Sequence, residues 1–499
     1  MDLRSVFMGE TNRKDVNSLK SKVMSGLIWT FGERIIAQSV SFIVSIILAR
    51  ILLPEEYGVV AIILVFINLA NVFVANGFGE SLVRKQDSNE EDFSTIFFCS
   101  FIFSWFLYFI LFIAAPYIAD FYNQKLLTML LRVLALKIPI SSISTIQHAY
   151  VSKHMIFKKF FFSTLGGTLI SGIVGVVMAY AGFGAWALVA QYLVNTSIDT
   201  MVLFITVPWR PRLIFNKRSA KTLVNYGWKL TASSLINEIY SELRSLIIGR
   251  VYTSADLAYY NRGNQFPSLI ITNIDTAIGK VVFPAMTTVS ADRNRLKQLS
   301  RRAMKTTSYT IFPMLAGLMM VADPLIKLLL TDKWLFCVPF LQCSCVYYMC
   351  QPIQTTNWQI IKAVGRSDLC LKLEAIKKVI GVSIILITMN YGVLAIALGN
   401  AAFGVISMII NILPNRKLIG YSAWEQIKDL MPAIVLSGIM CAIVKAVSLI
   451  DVGIVCDLIL QVVSGGLAYL LLSYILKVDS FMYLLDIARS KIFKGKRST

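Results

Sequence analysis

The stretch IILARILLPEEYG (Ile46–Gly58) returns about two hundred residues later as LIIGRVYTSADLA (Leu246–Ala258). Aligned without gaps, Arg50 falls on Arg250, Glu56 on Asp256 and Gly58 on Ala258. The apolar run leading into each copy carries polar residues at helical spacing. Arg34, Gln38, Ser41 and Ser45 stand at i, i+4, i+7 and i+11, and Ser234, Glu238, Ser241 and Ser245 repeat the stripe at the same offset. Serine and glutamine seams also serve simply to hold helices together in lipid, where polar side chains bond across interfaces. Arg34 and Glu238 decide between the two readings. Ionisable groups at membrane depth cost roughly 2.5–3.5 kcal/mol on insertion scales, so they face a cavity or a partner. A hydrophilic seam written twice therefore implies two equivalent halves around a water-filled space, the arrangement of a transporter.

Of the 499 residues, 56% are hydrophobic and only 15% charged, against about 25% charged in an average soluble chain. Apolar runs of spanning length recur from end to end, separated by short polar breaks, which predicts membrane-spanning helices rather than barrel strands. The net charge of +20 does not mark a nucleic-acid-binding protein, because the basic residues lie in loops on alternate sides of the spans. The eight cysteines are scattered, and neither the Cys343/Cys345 pair nor His148 and His154 shows metal-ligand spacing. Met1–Ser25 is polar and precedes an apolar run too long for a cleaved signal, so that run is expected to be a retained anchor.

The pattern predicts an all-α polytopic membrane protein with about fourteen transmembrane helices. Residues 1–25 form an N-terminal tail, 26–207 a first lobe of six spans, 208–225 a basic linker and 226–414 a second lobe of six. Residues 415–476 supply two appended spans and 477–499 a basic tail. With the N-terminus inside, the outside loops hold only Arg50, Lys125, Arg250 and Lys333, while the inside segments carry the great majority of loop lysines and arginines. That asymmetry places both termini in the cytoplasm. Each lobe starts and ends on the same side, so the copies are parallel. Prolines in two spans, Pro139 and Pro352 within QPIQTTNWQ (Gln351–Gln359), are expected to kink their helices.

Further stretches carry a family resemblance. SGLIWTFGERIIAQ (Ser25–Gln38), LARILLPEEYG (Leu48–Gly58) and NGFGESLVRK (Asn76–Lys85) resemble the opening of Wzx-type, colanic-acid-exporter-like polysaccharide flippases of the multidrug/oligosaccharidyl-lipid/polysaccharide (MOP) exporter superfamily. NYGWKL (Asn225–Leu230), AYYNRGNQFPSL (Ala258–Leu269), VVFPAM (Val281–Met286) and VADPLIKLLLTDKW (Val321–Trp334) continue the likeness to about residue 420. It implies a two-lobed, MATE-like bundle in the bacterial inner membrane that moves undecaprenyl-pyrophosphate-linked oligosaccharide outward by alternating access. It also implies coupling to Na+ or H+ rather than a bound cofactor, a monomer, and polysaccharide polymerase and chain-length proteins as partners.

The charged residues within the spans fit such cargo. Basic groups exceed acidic ones, and a cavity for pyrophosphate needs that sign; Arg34, Lys137, Arg262 and Lys280 are the candidate phosphate-binding residues. The polar stripe expected to line the cavity comprises Gln38, Ser41, Ser45, Ser234, Ser241, Ser245 and Gln265. Glu238 and Glu242 share a helix face at i, i+4, and two such carboxylates suit a coupling cation or raise each other's proton affinity. Glu33–Arg34 and Asp275–Lys280 can equally be internal ion pairs.

Two other functions are weighed. A MATE-type exporter of cationic drugs needs an acidic or aromatic cavity, yet the first lobe offers only Glu33 and Asp199 at depth against Arg34, Arg132 and Lys137. A membrane glycosyltransferase or polymerase needs acids or a domain on the outer face. The only pair in the first outer loop, Glu55 and Glu56, falls on Ala255 and Asp256 in the repeat and belongs to a helix connection. No enzyme activity is expected.

Overall fold

A computed structural model describes residues 32, 35–74, 79, 82, 89–156, 158–450 and 452–486, and every regular element among them is helical. The first helices are α1 (Ile35–Ile51), α2 (Pro54–Val74), α3 (Glu90–Phe121), α4 (Leu126–Leu134) and α5 (Lys137–His154). Then come α6 (Lys158–Tyr180), α7 (Ala185–Thr206), α8 (Lys217–Val251), α9 (Ser254–Thr288), α10 (Arg293–Met320) and α11 (Ala322–Leu330). A 3-10 turn (Asp332–Cys337) leads into α12 (Val338–Met349), α13 (Gln351–Ala363), α14 (Ser367–Thr388) and α15 (Val393–Ile412). The short α16 (Asn415–Ile419) precedes α17 (Ala423–Val447) and α18 (Ile454–Ile475).

The repeat is visible in the helix ends. α1 stops at Ile51 and α2 starts at Pro54; α8 stops at Val251 and α9 starts at Ser254. The last turns close alike, Leu52 donating to the Leu48 carbonyl at 2.8 Å and Tyr252 to that of Ile248 at 2.9 Å. Pro54 suits the first helical position, where no N–H is needed. Glu56 turns back to accept the Leu53 N–H at 2.8 Å, so it caps the α2 N-terminus, where a carboxylate also meets the positive end of the helix dipole.

Eight helices among the described residues are long and apolar enough to cross a membrane, or nine if the bent pair α10 and α11 counts as one span. The chain is a multi-pass membrane protein. The stretches of the expected fourteen that miss this count are short, broken or charged. α8 and α9, at 35 residues each, are long enough, but Glu238, Glu242 and Arg244 interrupt one and Arg262, Asp275 and Lys280 the other. α10 and α11 meet at 69°, because Pro324 has no N–H for the Met320 carbonyl. The helix also breaks at Cys350 before Gln351–Pro352, where a residue preceding proline disfavours the helical region. Pro139 sits in the first turn of α5, and the carbonyl it cannot serve is that of Ala135, where the span Leu126–His154 is interrupted between α4 and α5.

The chain divides into two compact units, one ending at Ala255 and one starting at Asp256. In the first, α8 packs on α2 and α3, with Gly249 against Ile62 and Tyr122. α6 presents the buried small residues Ser163, Gly167, Ser171, Gly175 and Ala179 at four-residue spacing. They let it lie against α7 so closely that a β-carbon at Gly167 would be 3.0 Å from the Asn195 carbonyl oxygen. In the second unit polar groups hold the last two helices. Asp429 of α17 takes two bonds from Arg301 of α10 at 2.7 Å each, and Tyr309 of α10 donates to Ser473 of α18 at 2.8 Å.

Candidate functional site

A polar tract runs through the first unit. Asn68 and Asn71 stand one turn apart on α2. Asn68 donates to Glu242 of α8 at 3.1 Å, and Asn71 accepts from Ser141 of α5 at 3.1 Å. One turn before Ser141, at the start of α5, Lys137 extends its ammonium to 5.4 Å from the centre of the Tyr192 ring on α7. Among the described residues no carboxylate pairs with Lys137, which is half-buried at the head of a spanning segment. A cation kept in this position without an acid is available to an anion that arrives from outside the protein.

Of the other residues expected to bind phosphate, Arg34 lies outside the described residues, and Lys280 falls in α9, where its helix but not its side chain is described. Arg262 is placed differently from expectation. It is 6% exposed, donates to Gln265 at 2.7 Å and lies 5.0 Å over the Trp334 ring. Buried against its own unit, this guanidinium fixes α9 to the 3-10 turn and presents no open face to a ligand; Gln265 gives its Oε1 to that bond. A planar arginine is favoured in both jobs, so residue type alone did not separate them.

The expected stripes are on helices as required. Gln38, Ser41 and Ser45 ride on α1, and Ser234, Glu238, Ser241, Glu242 and Ser245 on α8. Ser241 returns its hydroxyl to the Glu238 carbonyl at 3.0 Å, and Glu242 is held by Asn68. The two carboxylates are therefore not equivalent: that of Glu242 is anchored within the unit, and that of Glu238 has no such anchor among the described residues.

The sequence reading passed over a second seam at the same spacing. Lys137, Ser141, Thr145 and His148 follow one another at i, i+4, i+8 and i+11 on α5, and Tyr192, Asn195 and Asp199 at i, i+3 and i+7 on α7. Where the helices meet, these stripes face each other: Lys137 lies over Tyr192, and His148 Nε2 is 3.3 Å from Asp199 Oδ2. The periodicity that exposed the α1 and α8 seams would have exposed this one.

Residues 47–339 match the model of a family described as polysaccharide biosynthesis protein. The chain belongs to this family. Among similar proteins, the teichuronic acid biosynthesis protein TuaB of Bacillus subtilis is 25% identical over 91% of this chain and 96% of its own length. The lipopolysaccharide biosynthesis protein WzxC of Escherichia coli is 24% identical over 82% and 84%, and the succinoglycan biosynthesis transport protein ExoT of Rhizobium meliloti 26% identical over 60% and 61%. The fold is similar to that of the lipid II flippase MurJ in an inward closed conformation, with a TM-score of 0.72 and 17% identity over 91% of this chain and 99% of that one. A multidrug resistance MATE transporter of the MOP superfamily follows at 0.59 and 16%, over 77% and 94%.

In the second unit, this polysaccharide biosynthesis protein also carries an apolar groove of 540 Å3 between α10, α17 and α18, lined by residues such as Pro313, Leu318, Met440, Val444, Leu458 and Leu470. Its walls offer almost nothing but hydrocarbon, the environment that an aliphatic chain prefers to water.

Proposed function

We propose that this chain is a flippase that carries undecaprenyl-pyrophosphate-linked oligosaccharide across the bacterial inner membrane by alternating access, with both termini cytoplasmic, and that it acts as a transporter and not as an enzyme. The observation that supports the reading best is Lys137, a spanning-segment cation with no acid beside it among the described residues, in a chain of a polysaccharide biosynthesis family. Its ammonium suits the pyrophosphate, with Arg34 and Lys280 as further cations. The hydroxyl and amide groups of Ser141, Asn71 and Asn195 suit sugar, and the groove beside α17 and α18 suits the polyprenyl tail. Polysaccharide polymerase and chain-length proteins are the natural partners on the outer side.

Lys137→Ala tests this. One charge-assisted contact is worth about 1.5–3 kcal/mol, so surface polymer should fall roughly tenfold to a hundredfold while the protein accumulates and inserts as before. Lys137→Arg should restore a large part of export. Normal polymer in cells carrying a stably inserted Lys137→Ala variant would end the pyrophosphate role of this lysine.

A further inference from the structure

The His148–Asp199 pair has no place in cargo binding as described so far. His148 stands six residues before the end of α5 and Asp199 seven before the end of α7, roughly 10 Å from the helix ends that carry Lys153, Lys158 and Arg210. Nε2 of the imidazole is 3.3 Å from Oδ2 of the carboxylate, and the other face of the ring leans on Phe160 of α6, with centroids 4.8 Å apart. The His148 side chain is 42% exposed and that of Asp199 19%, so one partner reaches outward while the other is mostly enclosed. A β-carbon at Gly167 would stand 3.6 Å from the Asp199 backbone nitrogen, so α6 and α7 run close together at this level.

The ring is thus held between a carboxylate and an aromatic face. The ionisable groups on the elements packed around the pair are otherwise engaged or near the helix ends. On α6, Lys159 donates to the Thr206 carbonyl and Lys158 lies over Phe162. On α3, Glu90 pairs with Arg212 and Asp92 caps its own helix, leaving Glu91 beside them and Asp120 at the far end. Arg132 of α4 donates to the Phe112 carbonyl, and Glu55 and Glu56 sit at the first turn of α2. On α5 itself, Lys153 lies over Phe93 and His154 bonds the Tyr150 carbonyl. Among the described residues none of these forms an ion pair with either member.

We propose that His148 and Asp199 form a proton-binding site, and that its loading from the membrane's proton gradient drives the transport proposed above. Histidine is the side chain whose charge ordinarily changes between pH 5 and 8. Without a proton on the ring the pair carries one negative charge inside a spanning segment; with it, the charges cancel. Charge at membrane depth is costly, so proton uptake favours states in which the pair is drier, and release favours states in which water reaches it. Glu242 is already engaged, accepting from Asn68 at 3.1 Å. The inference rests on the flippase reading for its cargo, though not for the site itself.

Two measurements test it. In purified protein in weakly buffered detergent, with a pH-indicator dye, the wild type should bind about one proton more per chain than His148→Gln between pH 8 and 5. In vesicles holding a short undecaprenyl-pyrophosphate-linked glycan, an imposed pH gradient should speed wild-type flipping several-fold. His148→Gln and the permanently charged His148→Arg should flip at the gradient-free rate. Asp199→Asn should lose the gradient response as well, because the ring no longer faces a carboxylate at 3.3 Å. An unchanged proton count, or a full gradient response in His148→Gln, overturns the site. If no variant and no wild type moves the glycan lipid, the flippase reading fails instead, and the proton count alone decides the site. Unaltered elution and thermal unfolding of His148→Gln guard against misfolding.

Discussion

Replacing Asp429 by alanine should destabilise the second unit by about 2–4 kcal/mol. The carboxylate is 4% exposed. It accepts from Arg301 Nε and Nη2 at 2.7 Å each, from the Tyr421 hydroxyl at 2.8 Å, and lies 3.3 Å from Lys305 Nζ. Removing one partner of a buried pair costs roughly 3–5 kcal/mol when the charge left behind stays enclosed. Here the Arg301 and Lys305 side chains are 40% and 28% exposed, so both can turn to water, and the full penalty does not apply. Tyr421 cannot turn. It is fully buried, its other contact is the Met304 sulfur at 3.7 Å, and a stranded hydroxyl costs about 1–3 kcal/mol. The lost bidentate contact adds about 1 kcal/mol at this exposure.

This partition is testable by a double-mutant cycle read by SDS-titrated unfolding in mixed micelles. Tyr421→Phe alone should cost about 1 kcal/mol, a typical net hydrogen bond. On top of Asp429→Ala it should cost almost nothing or even help, because the stranded hydroxyl goes with it. Asp429→Asn, which can still accept from Tyr421, should be milder than Asp429→Ala. An Asp429→Ala protein as stable as wild type, or a cycle in which the two losses simply add, would refute the reasoning.

The second unit carries two more expectations. Arg262→Lys keeps the charge but loses the planar contact with Trp334 and the fixed bond to Gln265, so stability should fall by about 1 kcal/mol with export per inserted molecule unchanged; a specific export defect at normal stability would put Arg262 back in the cargo site. Gly263→Ala places a β-carbon 2.7 Å from the Leu341 amide nitrogen and 2.8 Å from the Cys337 carbonyl oxygen, backbone atoms that cannot swing away, so unfolding in the same micelles should show a loss of roughly 1–3 kcal/mol or more.

The all-helical fold, the doubling and the family were legible because each rests on local pattern. Hydropathy marks spans without knowledge of their neighbours, and the matched ends at Ile51 and Val251 follow from a gapless repeat. What sequence could not supply is which face of a helix meets which. Arg262 and Lys137 look alike as cations within apolar stretches, yet one is buried against Trp334 and Gln265 while the other meets no acid among the described residues. Glu238 and Glu242 share a face, but only the position of Asn68 on another helix distinguishes them. His148 and Asp199 are 51 residues apart, and no rule of spacing along one helix joins residues on two.

The position of the proton site on the Lys137 stripe links cargo and proton energetically. From Lys137 to His148 is eleven residues of one helix, about 16 Å. At the effective dielectric of roughly 20 that describes charges in proteins, two unit charges at that separation interact by about 1 kcal/mol. Protonating the pair removes a negative charge from the tract, so an anion held at Lys137 gains that amount, close to a fivefold rise in affinity. Linkage is reciprocal: bound pyrophosphate must then raise the proton affinity of His148 by the same factor. Direct electrostatics alone therefore favours cargo and proton on the same molecule, the sense opposite to exchanging an inward proton for outward cargo, so this term works against the coupling and has to be outweighed. That factor is too small to reverse a two-state equilibrium by itself, which takes about 5.5 kcal/mol. The larger share has to come from the change in hydration of the His148–Asp199 pair, which is why the low exposure of the Asp199 side chain matters as much as its 3.3 Å contact with the ring.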